Sequence, residues 1–166
     1  MKGYTLIEIL VGLAIIGLLF SFGFISFRDY SRRQTLAGAV KEVQGDLRFA
    51  QEDALSGLKP DDINCNYDPV TLGGRFLNGY DFTVVSQNPA EYEIMASCSG
   101  GDAANPTKDV LLSSGITIVP SQNPILFKVL GQGTNIPGGT SASITLSLTG
   151  LTDTATVTIG SGGEIQ

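Results

Sequence analysis

The strongest constraint on this chain is an apolar run at residues 9–27, where nineteen successive positions carry no charged side chain. As a helix the run would extend about 28 Å, close to the thickness of the hydrocarbon core of a bilayer. We therefore predict one membrane-spanning helix near the start of the chain. Arg28, Arg32 and Arg33 follow the run, and the positive-inside rule alone would keep everything after it in the cytoplasm.

The competing interpretation of this run is a secretory signal that is removed from the mature protein. Lys2 precedes the run, and Ala37, Gly38 and Ala39 resemble a small-residue cleavage site. However, the run is longer than the apolar core of a typical signal, and charged residues separate it from that site. We therefore expect the helix to be retained.

One carboxylate, Glu8, stands at the head of the apolar run. An acid in or beside a membrane segment costs free energy unless it is paired, so its default interpretation is functional. The alternative is a glutamate that rests at the headgroup interface without a partner.

Composition removes several classes of function. The chain has 166 residues, enough for one compact domain and an appendage, with 16 acidic side chains, 10 basic side chains and no histidine. The absence of histidine excludes a Ser/His/Asp triad and any zinc site with His ligands. The formal charge of −6 disfavours broad attraction to nucleic acid.

The most specific motif is at the start: Lys2, Gly3 and Tyr4, then Glu8 five positions beyond the glycine, then the apolar helix. This pattern resembles the class III prepilin signal of type IV pilins and type II secretion pseudopilins. The resemblance implies that a prepilin peptidase cuts after Gly3 and that the new N-terminus, Tyr4, is methylated. It also implies an assembly role for Glu8, which the ammonium group of a neighbouring subunit would neutralise. The three-residue leader is short, and Tyr4 stands where phenylalanine is more usual.

Beyond the run, apolar side chains at steps of three and four form one stripe on a helix, which a sheet would have to cover. The stripe consists of Leu36, Val40, Val43, Leu47, Ala50 and Ala54. Gly57 and Pro60 end the pattern, so we predict one nearly continuous helix over residues 5–56. The basic side chains along it are expected on a solvated or subunit-facing side: Arg28, Arg32, Arg33, Lys41 and Arg48.

From residue 59 onward the chain is rich in Gly, Thr, Ser and Pro, which predicts an antiparallel sheet, either a sandwich or a curved meander. Strand candidates lie at 80–85, 91–97, 110–112, 115–119, 125–129, 143–148 and 154–159. The predicted fold class is α+β, a long helix packed on a β-rich head. The predicted divisions are a leader at 1–3, a transmembrane or filament-core helix at 4–27, an amphipathic helix at 28–58 and the head at 59–166.

The C-terminal half is similar to the type II secretion H subunit and the pilus protein FimT, through Leu111, Phe127, Gly131, residues 156–159 and Gly163. This resemblance implies a minor subunit. The helix also lacks the late proline that many major pilins carry, which favours the same assignment.

Some FimT-like members are associated with DNA binding through a Gly-Arg-x-Arg ending. The matching end here is Gly163, Glu164, Ile165 and Gln166, which contains an acid and no arginine. No nucleic-acid partner is therefore expected.

Cys65 and Cys98 are the only cysteines, and both fall in the segment expected outside the cytoplasm. We predict one disulfide, which on the chain-entropy account would stabilise the head by roughly 3 to 4 kcal/mol. Two free thiols are the alternative.

Two acidic groupings suggest other functions. Asp61, Asp62 and Asp68 offer oxygen ligands for calcium, but their spacing fits no EF-hand loop, and acids beside proline are also ordinary turn formers. Glu91 and Glu93 alternate on one strand, but no nearby residue type orients them for catalysis. We therefore expect no catalytic residue, no cofactor and no resident metal.

These features together predict a structural subunit of a type IV pilus or type II secretion pseudopilus rather than an enzyme. The expected partners are prepilin peptidase, other pilin or pseudopilin subunits, an inner-membrane assembly platform and the membrane. The head would face away from the cytoplasm, first at the cytoplasmic membrane and then in a filament at the cell surface or in the periplasm. The alternative is a single-helix membrane-anchored adhesin or sensor module, which would need neither cleavage after Gly3 nor Glu8.

Overall fold

The computed structural model describes residues 4–68 and 73–166, except for the side chains of residues 20–26, 67 and 68. The predicted leader and the cleavage residue Gly3 lie outside the described residues. Within those ranges, helix α1 (Leu6–Ser56) comes first and a 3-10 turn, η1 (Val129–Gly131), lies near the end. The strands are β1 (Tyr67–Asp68), β2 (Gly73–Gly74), β3 (Leu77–Gln87), β4 (Ala90–Cys98), β5 (Gly101–Asp102), β6 (Lys108–Leu111), β7 (Ile116–Pro120), β8 (Ile125–Lys128), β9 (Ser141–Leu148) and β10 (Thr154–Gly160).

Both ends of α1 are capped by residues that suit their positions. At the start, the hydroxyl of Thr5 accepts a hydrogen bond from the backbone N–H of Glu8 at 3.4 Å. At the end, Gly57 adopts the left-handed conformation with φ 66°, and its N–H donates to the carbonyl of Ala54. The helix predicted over residues 5–56 is therefore confirmed to within one residue.

One face of the second half of α1 is buried, and it is nearly the predicted stripe. Its buried apolar side chains are Leu36, Ala39, Val43, Leu47, Ala50 and Ala54. Val40 is only partly buried, whereas Ala39, one position earlier, lies in the core. The helix contacts strands of both large sheets along this face.

The head consists of two antiparallel sheets and a small hairpin. The larger sheet has the order β5-β4-β3-β8, with β6 also paired to β4, and the smaller has the order β10-β9-β7. Strand β8 follows β7 in the chain but returns to pair with β3, which connects the two sheets. All seven predicted strands are present with bounds within three residues, so the α+β prediction is confirmed.

The core lies between α1 and the two sheets. The rings of Phe82 and Tyr92 stack with centroids 4.7 Å apart on the helix-facing side of the larger sheet. In β10 the predicted alternation holds, because Val157 and Ile159 are fully buried while the threonines lie on the other side. Burial of this aliphatic and aromatic surface is the main force that holds the head on the helix.

The predicted disulfide is present between Cys65 and Cys98. It links the loop after α1 to the last residue of β4, and it closes a chain segment with a sequence separation of 33. The structure has no free cysteine in its described part.

Candidate functional site

The first half of α1 presents apolar side chains that the head does not cover. Tyr4 is 80% exposed and Leu6 is 78% exposed, and the large apolar residues up to Leu19 are likewise exposed. The first buried side chain in the described part of the helix is Leu36. A continuous apolar surface of this length is typical of a segment that contacts a membrane or other protein chains.

Within residues 4–68 and 73–166, no helix combines the length and the apolar character that a membrane crossing needs.

Glu8 lies in the first turn of α1, and its side chain is exposed to solvent. The partial positive charge of a helix N-terminus stabilises a carboxylate at this position. Tyr4 lies one turn before it, next to the capping residue Thr5, so both predicted site residues sit at the same free end of the helix. Thr5 and Glu8 have the spacing of a capping box. The sequence therefore indicates the start of the helix here independently of the prepilin motif.

Comparison with known proteins finds a family match at this end of the chain. The prokaryotic N-terminal methylation motif matches residues 1–24. A fimbrial protein of Pseudomonas aeruginosa is 41% identical over 54 residues, which are 32% of this chain and 34% of the relative. The chain is type IV pilin-like, with a prepilin motif.

A longer match extends the similarity of this pilin-like chain into the head. A probable minor fimbrial protein of Dichelobacter nodosus is 32% identical over 103 residues, covering 61% of this chain and 59% of the relative. The chain thus spans about a third to three fifths of the lengths of these relatives. No solved structure matches it.

Two arginines after the apolar run attach the pilin-like helix to the tip of the β9–β10 hairpin. Arg32 donates a hydrogen bond from Nη1 to the carbonyl oxygen of Gly150 at 3.0 Å, and Arg33 Nη1 lies 2.5 Å from Asp153 Oδ2. Sequence reasoning placed these side chains on a solvated or subunit-facing side; Arg33 is exposed, Arg32 is partly buried, and both also contact the head. Lys41 and Arg48 are exposed as predicted.

A buried acid on α1, which sequence reasoning did not identify, anchors the helix to the larger sheet. Asp46 is 6% exposed, accepts a hydrogen bond from the phenol of Tyr92 at 2.7 Å, and forms an ion pair with Lys108. Burial raises the pKa of the Tyr92 phenol, and the nearby Asp46 carboxylate raises it further. The available signal was spacing: Asp46 lies three residues after Val43 and four before Ala50, inside the apolar stripe.

A second buried acid, Asp81, lies in the middle of β3 opposite Met95. Burial raises the pKa of its carboxyl from 3.8 to about 6, the charge of Asp102 raises it further, and a hydrogen bond with Ser97 opposes the rise. No opposite charge compensates among these causes, so this acid costs stability when it is ionised.

The calcium candidates serve the loop after α1. Asp61 accepts a hydrogen bond from the amide of Asn66, and Asp62 accepts from the backbone N–H groups of Asn64 and Ala104. The side chain of Asp68 lies outside the described residues. Across the described ranges, no three His, Cys, Asp or Glu side chains converge in a way that could hold a metal ion. These bonds assign Asp61 and Asp62 to turn formation.

Proposed function

We propose that this chain is a minor subunit of a type IV pilus-like filament, held in the cytoplasmic membrane by α1 before assembly. The observation that carries the proposal is the prepilin motif at the start of a long helix whose first half is apolar and exposed. An exposed apolar helix is costly in water, so it requires either lipid or the helices of other subunits around it.

Processing is the first step of the proposal. Prepilin peptidase removes residues 1–3 after Gly3, and the new N-terminus at Tyr4 is methylated. The match of the methylation motif to residues 1–24 supports this step. The head, with its disulfide, faces the side of the membrane where thiols oxidise.

Assembly is the second step. The ammonium group of one subunit pairs with Glu8 of a neighbour as the helix leaves the lipid. In a medium of low dielectric constant the attraction between the two charges is strong, and with good geometry it offsets the cost of taking them out of water. Exposure of Glu8 at the free end of α1 supports this role. The pairing would set the register between subunits.

We assign the subunit to a pilus rather than to a secretion pseudopilus. Relatives that match 54 and 103 residues of this chain are named as a fimbrial protein and a probable minor fimbrial protein. The longer match is to the minor fimbrial protein, which supports a minor rather than a major subunit. The partners in this proposal are prepilin peptidase, other pilin subunits and an inner-membrane assembly platform.

The test separates the charge of Glu8 from its place in the helix cap. Glu8→Val and Thr5→Ala variants are expressed in a host that assembles the filament, and sheared filaments and membranes are assayed for the subunit. We expect Glu8→Val to be inserted and processed but strongly depleted from filaments, whereas Thr5→Ala, which removes only a capping hydroxyl, enters them. Normal incorporation of Glu8→Val would refute the assembly step. Absence of the wild-type chain from filaments would instead favour a membrane-anchored adhesin or sensor module.

A further inference from the structure

A shallow notch lies on α1 directly beyond the apolar run. It has a volume of about 290 Å³ and is lined by Phe27, Arg28, Ser31 and Arg32. Phe27 and Ser31 are four residues apart, as are Arg28 and Arg32, so the two pairs lie side by side on the helix surface. The notch therefore combines two guanidinium groups, one hydroxyl and one aromatic ring at the point where the chain would leave the hydrocarbon.

One guanidinium of this notch is held in place by the head. Arg32 Nη1 donates to the carbonyl oxygen of Gly150, which has φ +79° in the β9–β10 turn. A Cβ atom added at Gly150 would lie 3.0 Å from Arg32 Nη1, so the guanidinium sits directly against this glycine. One of five N–H donors of an arginine is used in that bond, and the planar group is thereby oriented for a further acceptor.

The surrounding charges leave the notch positive. Arg33 points to Asp153 and so does not contribute to the notch. Asp29 lies three residues before Arg32 and four before Arg33, so it is a helix neighbour of both, and the two guanidinium groups of the notch still outnumber this one carboxylate. Phe27 is 68% exposed and Tyr30 is 60% exposed, as aromatic side chains at a membrane surface are.

We infer that this notch binds the phosphate group of an anionic phospholipid in the leaflet facing the head. The inference rests on the proposed function, in which α1 anchors the chain in the membrane. Arginine presents paired N–H donors that match phosphate oxygens, and basic side chains at a membrane surface are attracted to anionic headgroups. Arg28 and Arg32 lie on the side that the positive-inside rule disfavours, and a lipid phosphate together with the Gly150 carbonyl supplies the partners they need there.

The lipid contact would also set how the head sits on the membrane. Arg32 touches both the notch and the β9–β10 turn, so a bound phosphate would hold that turn at the headgroup level. The whole chain carries a formal charge of −6, so its overall field repels an anionic surface. Any preference for anionic lipid must therefore come from a local site.

The experiment uses the full chain in vesicles of phosphatidylcholine alone or mixed with phosphatidylglycerol, and measures the association of spin-labelled forms of both lipids. We expect the wild type to prefer phosphatidylglycerol by at least about fivefold. The double variant Arg28→Gln/Arg32→Gln should lose most of this preference. The matched control Lys41→Gln/Arg48→Gln removes two exposed charges from the same helix and should retain it.

A charge-neutral variant tests the placement of Arg32. In Gly150→Ala the added Cβ would lie 3.0 Å from Arg32 Nη1 in a turn with φ +79°, so the turn and the guanidinium must shift slightly without a change in net charge, and the preference should fall measurably. Equal losses in the notch and control double variants would overturn the inference in favour of diffuse attraction. Loss of the preference in inorganic phosphate, but not in chloride of equal ionic strength, would indicate a site for free anions instead. Failure of the wild type to insert into phosphatidylcholine vesicles would contradict the anchoring step of the proposed function, whereas insertion without lipid preference would overturn only the notch.

Discussion

Asp46 shows how a single polar residue can determine the position of a long helix. An apolar stripe can slide or rotate on a sheet at modest cost, but a buried carboxylate is stable only where its partners meet it. The phenol of Tyr92 and the ammonium group of Lys108 come from β4 and β6, so Asp46 fixes the helix against both strands. Its place in the apolar stripe was visible in the sequence, but its partners, 46 and 62 residues away, were not.

Removal of the Tyr92 hydroxyl should weaken this anchor. Tyr92→Phe keeps the ring that stacks on Phe82 but leaves Asp46 with one fewer donor. We expect the free energy of unfolding to fall by about 1.5 to 3 kcal/mol, measured by denaturant titration of the full chain in detergent. The matched control Tyr30→Phe removes a hydroxyl from an exposed tyrosine and should change stability by less than about 0.5 kcal/mol. Equal effects of the two substitutions would show that Asp46 does not depend on Tyr92.

Asp81 should make the chain less stable as the pH rises. Its carboxyl has a pKa of about 6 in the folded chain against an ordinary value of 3.8, so between these values the folded state holds more protons than the unfolded state. Stability from this group is therefore fully present below about pH 4 and is lost by about pH 7, with an upper limit of about 3 kcal/mol.

The isosteric variant Asp81→Asn tests this assignment. It should stabilise the chain at pH 7 and have little effect at pH 4, as followed by denaturant titration at both pH values. Asp109→Asn, on exposed β6, serves as the control and should not change the pH dependence. A loss of stability at pH 7 in Asp81→Asn would mean that the ionised carboxylate is favourable in the fold.

Two glycines of α1, one at its end and one within it, should respond in opposite ways to substitution by alanine. Gly57 ends α1 with φ 66°, a conformation that costs a side-chain-bearing residue free energy, whereas Gly38 lies within the helix and a Cβ there would meet nothing within 4 Å. Gly57→Ala should destabilise the chain by about 1 kcal/mol. Gly38→Ala should stabilise it by up to about 1 kcal/mol through helix propensity. Thermal unfolding of both variants should give shifts of opposite sign, and shifts of the same sign would contradict this account of the helix end.

The disulfide should stabilise the connection between the helix and the larger sheet. Replacement of Cys65 and Cys98 by serine removes a crosslink over a sequence separation of 33 and should lower the free energy of unfolding by about 3 to 4 kcal/mol. Each single serine variant should lose nearly as much as the double variant, because any of the three removes the same bond. Losses that simply add, as measured by denaturant titration, would show that packing of the two side chains matters more than the crosslink.

In the molecule as a whole, local sequence patterns predicted the helix and the strands, but they did not predict which side chains join one element to another. The capping glycine, the apolar stripe and the alternation in residues 154–159 are local signals, and they located α1 and β10 closely. Two-residue strands such as β1 and β5 are too short for any periodicity to indicate them. The contacts of Arg32 with Gly150 and of Asp46 with Tyr92 join residues far apart in sequence, so no local pattern contains them.

The candidate site was predicted from a single short stretch of sequence. The residues of the prepilin motif are contiguous, so their spacing carries the inference without knowledge of the tertiary structure. The sequence also predicted that the sheet covers the second half of the helix and not the first, but it did not predict the contact of Arg32 with Gly150. That arrangement leaves the N-terminal end of α1 uncovered by the head, where the proposed assembly residue Glu8 lies.

The proposal that this chain is made as a precursor and becomes a filament subunit after processing can be tested by mass spectrometry. We would determine the intact mass and the N-terminal peptide of the protein from membranes of a host with an active prepilin peptidase. We predict a chain that begins at Tyr4 with a methylated α-amino group. A chain that retains Met1 would contradict the claim and favour an anchored module, and a chain that begins after Ala39 would identify the apolar run as an ordinary secretory signal.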